Sequence, residues 1–392
     1  MNIPDLLQRL DVDLHLADEL QYNPYYPEIE GRKDGKVKIG DRWLIDFASN
    51  DYLGLASSND LKRVYFDAIS RYGVSLCGTP IAAGGNRLLQ EMERQFAEFV
   101  GCEDAMAFPS CYQANVALFR ALCTKEDVIL IDHFAHASLV EGVKAVGCGI
   151  IPFRHNDGVH LEKLLNRART EGCTFVVTES VFSTEGTIAP FDTIYALCEK
   201  YGAVPVIDDS HGIGVIGEGG RGVLHRFGLD AYDGIYTASL GKALANSGGI
   251  IAGDKKVITA LKYRCSGSMY STAVPPAVAA GVLHVLDLLK KKYRSLRDVL
   301  ARNVQTVNEI LDHKCFQRSN GAAPIISVKC GSVRSTLKCA RSFFENGMVV
   351  TPFVEPSVPP GKGVIRIIPG AAITSEECRN ALTALDTSWM ED

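Results

Sequence analysis

Lys242 lies in a stretch of the sequence whose residue types suit covalent chemistry. It follows an apolar run over residues 234–237 and the small-residue turn Ser239-Leu240-Gly241, and Gly248-Gly249 come soon after. A lysine at the end of a buried parallel strand loses solvation, and a desolvated amine can release its proton and condense with an aldehyde as a Schiff base. An ordinary surface lysine is the alternative, and this stretch alone does not exclude it.

A second chemical signal is a carboxylate, Asp208, at the end of another apolar run. It begins the segment Asp208-Asp209-Ser210-His211-Gly212. A buried carboxylate is costly unless it faces a cation, and the protonated ring nitrogen of pyridoxal 5'-phosphate is such a cation. A metal bound by Asp208, Asp209 and His211 is the alternative, although no further ligand cluster accompanies them.

Two further strand ends carry polar residues. Ser110 is a good N-cap, and the N–H groups of Cys111 and Tyr112 after it suit a phosphate; a plain capped helix is the alternative. His136, after the next run, suits either stacking on a flat heterocycle or a buried polar network. Together with the aspartate and the lysine, these residues fit one ligand, pyridoxal 5'-phosphate.

Seven short apolar runs predict the sheet that positions these residues: 105–108, 128–131, 149–152, 175–177, 204–207, 234–236 and 249–252. Helical patterns separate several of them, which predicts a mainly parallel sheet covered on both faces, with the ligand beyond the carboxyl ends of the strands. We predict an α/β protein with an N-terminal arm (1–45), a large ligand-binding domain (46–273), and a connecting helix with a smaller C-terminal α+β domain (274–392).

Composition excludes several classes of function. The 41 basic and 46 acidic residues give a net charge of −5, so no broad basic surface is expected to bind nucleic acid or anionic lipid. The longest apolar stretch, 274–289, is short and interrupted by two prolines, so no membrane span is predicted. The 12 cysteines occur without a Cys-X-X-Cys pair, which disfavours structural zinc and disulfides. With no signal peptide apparent at the N-terminus, these thiols predict a cytoplasmic protein without a bound metal.

The chain resembles the α-oxoamine synthases, a family within the fold-type-I pyridoxal phosphate enzymes. The order and spacing of its motifs match from about residue 43 to about residue 370. The matching segments are 46–55, 136–139, 155–157, 178–183, 208–212, 217–222, 239–242, 270–272 and 275–276. The resemblance therefore implies the fold-type-I architecture, pyridoxal 5'-phosphate as cofactor, and an acyltransferase activity.

The resemblance also implies how the cofactor is held. Lys242 would carry it as a Schiff base, Asp208 would pair with the ring nitrogen, and His136 would stack on the ring. Other residues would contact its polar groups: Ser183 and His211 near the ring oxygen, and Cys111, Tyr112 and Ser239 at the phosphate.

The resemblance also implies roles for three residues at the neighbouring subunit and at the substrate. Thr272 would reach the phosphate of the neighbouring subunit, which implies a homodimer with shared active sites. Arg366 would bind the carboxylate of the amino-acid substrate, because a guanidinium fork matches a carboxylate. Asn50 would lie near the same substrate.

The reaction implied is a decarboxylative condensation of a small amino acid with an acyl-CoA, giving an α-amino ketone, coenzyme A and carbon dioxide. The sequence departs from the family at Val74, Leu89 and Ile373, where an arginine and two histidines are common. Val74 and Leu89 make the loop between residues 73 and 93 more apolar. With segments 183–190 and 237–240, which resemble the long-chain α-hydroxyketone synthases, they favour a medium or long acyl chain.

Other activities remain open at this point. Within the family, 8-amino-7-oxononanoate synthase, glycine C-acetyltransferase and serine palmitoyltransferase are alternatives. An ordinary aminotransferase would pass the amino group to a keto acid without releasing coenzyme A. A non-catalytic partner subunit would keep the fold without the chemistry, although Lys242, Asp208 and His136 are all present.

Overall fold

The computed structural model describes residues 3, 7, 15–83, 85–168, 170–229 and 232–385. Within them, strands form three sheets and are numbered here in chain order: β1 Gly31–Lys33, β2 Lys36–Ile39, β3 Arg42–Asp46, β4 Asp104–Phe108, β5 Val128–Asp132, β6 Gly149–Phe153, β7 Thr174–Glu179, β8 Val204–Asp208, β9 Ile235–Ser239, β10 Gly249–Gly253, β11 Ile326–Gly331, β12 Met348–Val349, β13 Thr351–Phe353 and β14 Gly363–Ile367.

The central sheet has seven strands in the order β4-β10-β9-β8-β7-β5-β6. All seven predicted apolar runs are strands of this sheet, so the predicted α/β fold is confirmed. β10 is antiparallel to both of its neighbours, β4 and β9. The connection from Ser239 to Gly249 is too short for the crossover that a parallel strand needs, so β10 returns as a hairpin. Lys242 lies in that connection.

Helices cover both faces of the central sheet. Alternate strand residues belong to two different apolar clusters, as with Ala105 and Ala107 in one and Met106 and Phe108 in the other. Burial on both faces explains why the strands are continuous apolar runs. The helices are His15–Glu19, Asn59–Tyr72, Arg87–Val100, Cys111–Leu122, Ala137–Lys144, Gly158–Arg167, Phe191–Tyr201, Val223–Arg226, Lys255–Arg264, Ser266–Met269, Pro276–His313, Val333–Glu345 and Ser375–Thr383, with a short 3₁₀ turn at Glu218–Gly220.

The helix Pro276–His313 is continuous over 38 residues. It leads to a C-terminal region with its own apolar cluster, which includes Phe343, Val328 and Ile365. The charged middle of the helix, residues 290–298, contains no glycine or proline to end it. No helix in the described ranges combines the length and apolarity needed to cross a membrane.

The N-terminal segment from Gly31 joins the C-terminal region. β1, β2 and β3 form an antiparallel sheet, and β12 adds to β3 in parallel. Val37 and Leu44 are fully buried together with Val349. Part of the predicted arm (1–45) is therefore a sheet packed on residues near the other end of the chain. Of its first fourteen residues, only Ile3 and Leu7 lie within the described ranges.

Candidate active site

The amine of Lys242 is held in the interior by a histidine. Its Nζ lies 2.7 Å from Nε2 of His211, and Nδ1 of His211 lies 2.8 Å from the hydroxyl of Tyr52. Burial lowers the pKa of the Lys242 amine, although the carboxylate of Asp208 opposes this shift. Burial also lowers the pKa of His211 well below its usual range. A neutral imidazole therefore lies beside an amine that loses its proton more readily than a surface lysine.

Asp208 ends β8 as a buried carboxylate, 4% exposed. Its Oδ2 accepts a hydrogen bond of 2.7 Å from Nδ2 of Asn115, and its Oδ1 accepts one of 2.9 Å from the backbone N–H of Ser210. Both donors are uncharged. No described side chain forms an ion pair with this carboxylate, and a protonated ring nitrogen would supply a direct cationic partner.

The metal alternative at this strand end does not fit the geometry. Oδ2 of Asp209 accepts hydrogen bonds from the backbone N–H of Val223 at 2.9 Å and from the hydroxyl of Tyr236 at 2.8 Å. Burial raises the pKa of Asp209 to about 7. Among the described residues, no three His, Cys, Asp or Glu side chains are grouped so as to hold a metal ion.

The predicted phosphate site lies at the start of the helix Cys111–Leu122. Oγ of Ser110 accepts from the backbone N–H of Gln113, so the cap leaves the N–H groups of Cys111 and Tyr112 to another acceptor. Gly249 of β10 lies directly beneath: a Cβ there would be 2.5 Å from the nitrogen of Cys111. Only glycine permits this close approach of strand and helix.

Ser239 is joined to this helix start through Ser210. Oγ of Ser210 accepts a hydrogen bond of 2.9 Å from the N–H of Ser239 and lies 3.3 Å from Sγ of Cys111. Burial raises the pKa of the Cys111 thiol well above its usual range, so it stays protonated. The side chain of Tyr112 is 44% exposed and donates to Glu141. Its ring lies 6.5 Å from that of His136.

His136 is fixed by its own helix and by a buried glutamate. Its Nδ1 is the acceptor for the N–H of Ser138 at 3.2 Å and lies 2.8 Å from the Ser138 hydroxyl. Its backbone N–H donates to Oε1 of Glu179 at 2.7 Å. Burial lowers the pKa of His136. The ring is thus a neutral imidazole in a polar network, and this network also sets the orientation that ring stacking requires.

Arg366 and Asn50 carry polar atoms without partners. Arg366 of β14 is 7% exposed, and its Nη1 donates to the carbonyl of Ser183 at 3.3 Å. Its Nε and Oδ1 of Asn50 are buried without a hydrogen-bond partner among the described residues. Such atoms cost free energy until a ligand pairs with them. A carboxylate would satisfy the guanidinium, and an ammonium or N–H would satisfy the amide oxygen.

The remaining predicted residues lie in different surroundings. Thr272 is exposed in the segment before the long helix. Val74 is 72% exposed. Leu89 and Ile373 are only 5% and 2% exposed, in two apolar clusters. Leu89 was expected to make a substrate loop more apolar, but it lies in the buried face of the helix Arg87–Val100, where it packs in the core.

Four residues that had no predicted role lie in the candidate site: Tyr52, Asn115, Ser138 and Glu179. Glu179 ends β7, so its position at a strand end was a usable signal. Asn115 is a polar residue within an otherwise apolar helix face, 1% exposed. Tyr52 reaches His211 across 159 positions of sequence, and no local pattern reports that contact.

A cavity of about 830 Å³ lies beside the site. Three of its lining residues are close in sequence to site residues: Phe134 to His136, Thr184 to Ser183, and Val364 to Arg366. Its wall also includes apolar and cationic side chains from the C-terminal region: Phe316, Val358, Lys329 and Lys362.

The close approach of Gly249 to the helix start can be tested. In Gly249→Ala the new Cβ would meet the backbone of Cys111, so the helix start must move and pyridoxal 5'-phosphate should bind about tenfold more weakly. The control is Gly149→Ala, because Gly149 likewise begins a strand but its Cβ would come no closer than 3.5 Å to another atom. Fluorescence titration of the apoprotein measures both; equal affinities in the two variants would contradict this account.

Comparison with known proteins finds relatives along most of the chain. The family model for aminotransferase class I and II matches residues 42–385. An 8-amino-7-oxononanoate synthase of Treponema denticola is 32% identical over 370 residues, covering 93% of this chain and 93% of that protein. One of Thermoanaerobacter pseudethanolicus is 33% identical over 349 residues, covering 89% and 88%.

Solved structures share the architecture. A serine palmitoyltransferase of Sphingomonas wittichii matches with a TM-score of 0.90 and 25% identity, covering 97% of this chain and 95% of that chain. An 8-amino-7-oxononanoate synthase of Francisella tularensis matches with a TM-score of 0.73 and 27% identity, covering 87% and 96%. The chain therefore belongs to the aminotransferase class I and II family of pyridoxal phosphate-dependent enzymes, in its α-oxoamine synthase branch.

Proposed function

We propose that the protein condenses a small amino acid with an acyl-CoA and releases coenzyme A, carbon dioxide and an α-amino ketone. The observation that carries this proposal is the close grouping of the Lys242 amine, the buried Asp208 carboxylate and the Arg366 guanidinium, whose Nε has no partner among the described residues. Each of these groups meets a different need of the cofactor and the amino acid.

The residues present fit pyridoxal 5'-phosphate. Asp208, which forms no ion pair with a described side chain, would face the ring nitrogen. The helix start at Cys111 would hold the phosphate, and Lys242 would bind the aldehyde carbon. His136 would cover one face of the ring, with Ser183 and His211 near its oxygen. When bound, this cofactor withdraws electrons from the α-carbon of an amino acid.

Lys242 would move the α-proton of the amino acid, with His211 beside its amine. Burial lowers the pKa of this amine, so more of it is unprotonated and able to act as a base than in a surface lysine. The neutral His211 imidazole, 2.7 Å from that amine, orients it. Arg366 would hold the amino-acid carboxylate through its unpaired Nε, with Asn50 beside it, until that carboxylate leaves as carbon dioxide.

The cavity next to Arg366 is the site we propose for the acyl group. Its volume of about 830 Å³ and its apolar residues, among them Phe134, Phe316 and Val358, suit a medium or long hydrocarbon chain. Lys329 and Lys362 at its wall suit the phosphates of coenzyme A. An 8-amino-7-oxononanoate synthase activity, named for two relatives, is the second candidate and belongs to the same reaction class.

We also propose a cytoplasmic location. All twelve cysteines are free, and burial raises the pKa of Cys198 and of Cys378 to about 12. Buried, protonated thiols of this kind are suited to a reducing compartment.

A matrix of acyl-CoA chain lengths and small amino acids tests the reaction. The wild type should release coenzyme A and carbon dioxide together, and Lys242→Ala should lower that rate by about a thousandfold, because the base and the cofactor attachment are both lost. A thiol assay with a carbon dioxide measurement follows both products. Amino transfer to a keto acid without coenzyme A release would contradict the proposal. A non-catalytic subunit would lack the cofactor absorbance band that borohydride removes.

The role of Arg366 predicts a separate kinetic effect. Arg366→Lys keeps the charge but loses the planar fork, so the KM for the amino acid should rise about tenfold while the cofactor absorbance band stays unchanged. Arg94→Lys is the matched control, since Arg94 is an exposed helix residue paired with Glu91 and Glu98. An unchanged KM in Arg366→Lys would remove Arg366 from the substrate site.

A homodimer with shared sites follows if Thr272 serves the neighbouring subunit. Thr272 is exposed in the single chain, and Thr272→Asp should repel the cofactor phosphate. Sedimentation equilibrium should give twice the mass of the chain. Mixing Lys242→Ala with Thr272→Asp should restore activity, because one of the two sites in the mixed dimer then has both native residues. No restoration would place both residues in the site of one subunit.

A further inference from the structure

Asn115 links the two residues proposed to hold the cofactor ring. Its Nδ2 donates to Oδ2 of Asp208 at 2.7 Å and to Oγ of Ser138 at 3.0 Å. The Ser138 hydroxyl lies 2.8 Å from Nδ1 of His136. A continuous set of hydrogen bonds therefore runs from the aspartate to the histidine, and Asn115 is its centre.

The donors and acceptors of this set allow one arrangement of protons. An amide nitrogen has two hydrogens, and Asn115 uses one for each of its two acceptors. Ser138 accepts from Asn115 and therefore has its own hydrogen free to donate to Nδ1 of His136. If the amide were turned over, its oxygen would face the Asp208 carboxylate, and two acceptors would be in contact. The orientation of Asn115 is thus fixed from both sides.

An asparagine at position 115 is less favourable for packing than an apolar side chain would be. Oδ1 of Asn115 is buried without a hydrogen-bond partner among the described residues, and the side chain is 1% exposed. A leucine would fill the same apolar helix face without an unpaired polar atom. The benefit of the amide must therefore lie in what its two N–H groups hold.

We infer that Asn115 is a positioning residue that holds the Asp208 carboxylate in line with the cofactor ring nitrogen. The inference rests on the proposed cofactor site. Asn115 does not itself touch the ring: it fixes one oxygen of Asp208, while the Ser210 N–H fixes the other at 2.9 Å. The carboxylate then cannot rotate away from the nitrogen that it pairs with.

A cofactor analogue separates this role from a merely structural one. 1-Deazapyridoxal 5'-phosphate has a carbon in place of the ring nitrogen, so its affinity should not depend on how Asp208 is oriented. Asn115→Leu, which retains the side-chain bulk, should weaken binding of pyridoxal 5'-phosphate about tenfold but change binding of the analogue less than about twofold. Titration of the apoprotein by fluorescence gives both constants without any turnover.

The matched control is Asn303→Leu. Asn303 is also a fully buried helix asparagine, but its amide donates to the carbonyls of Gly370 and Ile373 at 3.0 and 2.9 Å. Its loss should lower the melting temperature and leave the ratio of the two affinities unchanged. Asn115→Ala repeats the test if the leucine variant does not fold.

Three outcomes would overturn the inference. Equal loss of affinity for cofactor and analogue would make Asn115 a packing residue, and no loss for either would leave it without a role in binding. A ratio that changes as much in Asn303→Leu would show a general effect of removing a buried amide. These titrations contain neither amino acid nor thioester, so they do not test the proposed condensation. If the wild type bound no pyridoxal 5'-phosphate, the proposed cofactor site itself would be contradicted.

Discussion

The arrangement of the site depends on two buried carboxyl groups that lie side by side. The parallel pairing of β7 and β8 makes Glu179 and Asp208 direct register partners at the carboxyl edge of the sheet. Burial, and next the charge of Asp208, raise the pKa of Glu179 well above its usual range. This shift favours the protonated form of Glu179, which reduces the repulsion between the two neighbouring carboxyl groups.

The same edge gathers its polar groups because backbone elements approach one another closely. The β9–β10 hairpin brings Lys242 close to Asp208 at the end of β8, and Gly249 lets the helix Cys111–Leu122 start against β10. Ser210 bridges Cys111 and Ser239, so the proposed phosphate end of the site is tied to two strands and a helix. A cofactor bound there would be held by rigid elements at its ring edge and at its phosphate.

The sequence predicted the sheet well because burial on both faces leaves a simple pattern. All seven runs were strands, and the polar residues at their ends, Asp208, His136 and the Ser110 helix start, point to the same edge. Contacts between distant segments were not predictable in this way. The hydrogen bonds between Tyr52 and His211 and between Asn115 and Asp208 join residues that only folding brings together. Leu89 was wrongly assigned to a substrate loop, because the helical spacing of Leu89, Met92 and Phe96 was not used.

The three-stranded sheet β11-β14-β13 links the proposed amino-acid site to the proposed acyl cavity, because side chains two residues apart on a strand share a face. Ser327 and Arg366 are register partners, as are Lys329 and Val364, so all four side chains lie on one face. The opposite face, with Val328 and Ile365, packs in the C-terminal cluster. The guanidinium that would bind the amino-acid carboxylate and the wall of the proposed acyl cavity are thus parts of one surface. A shift of this sheet would move both substrates together, which couples their relative position to the packing of the C-terminal region.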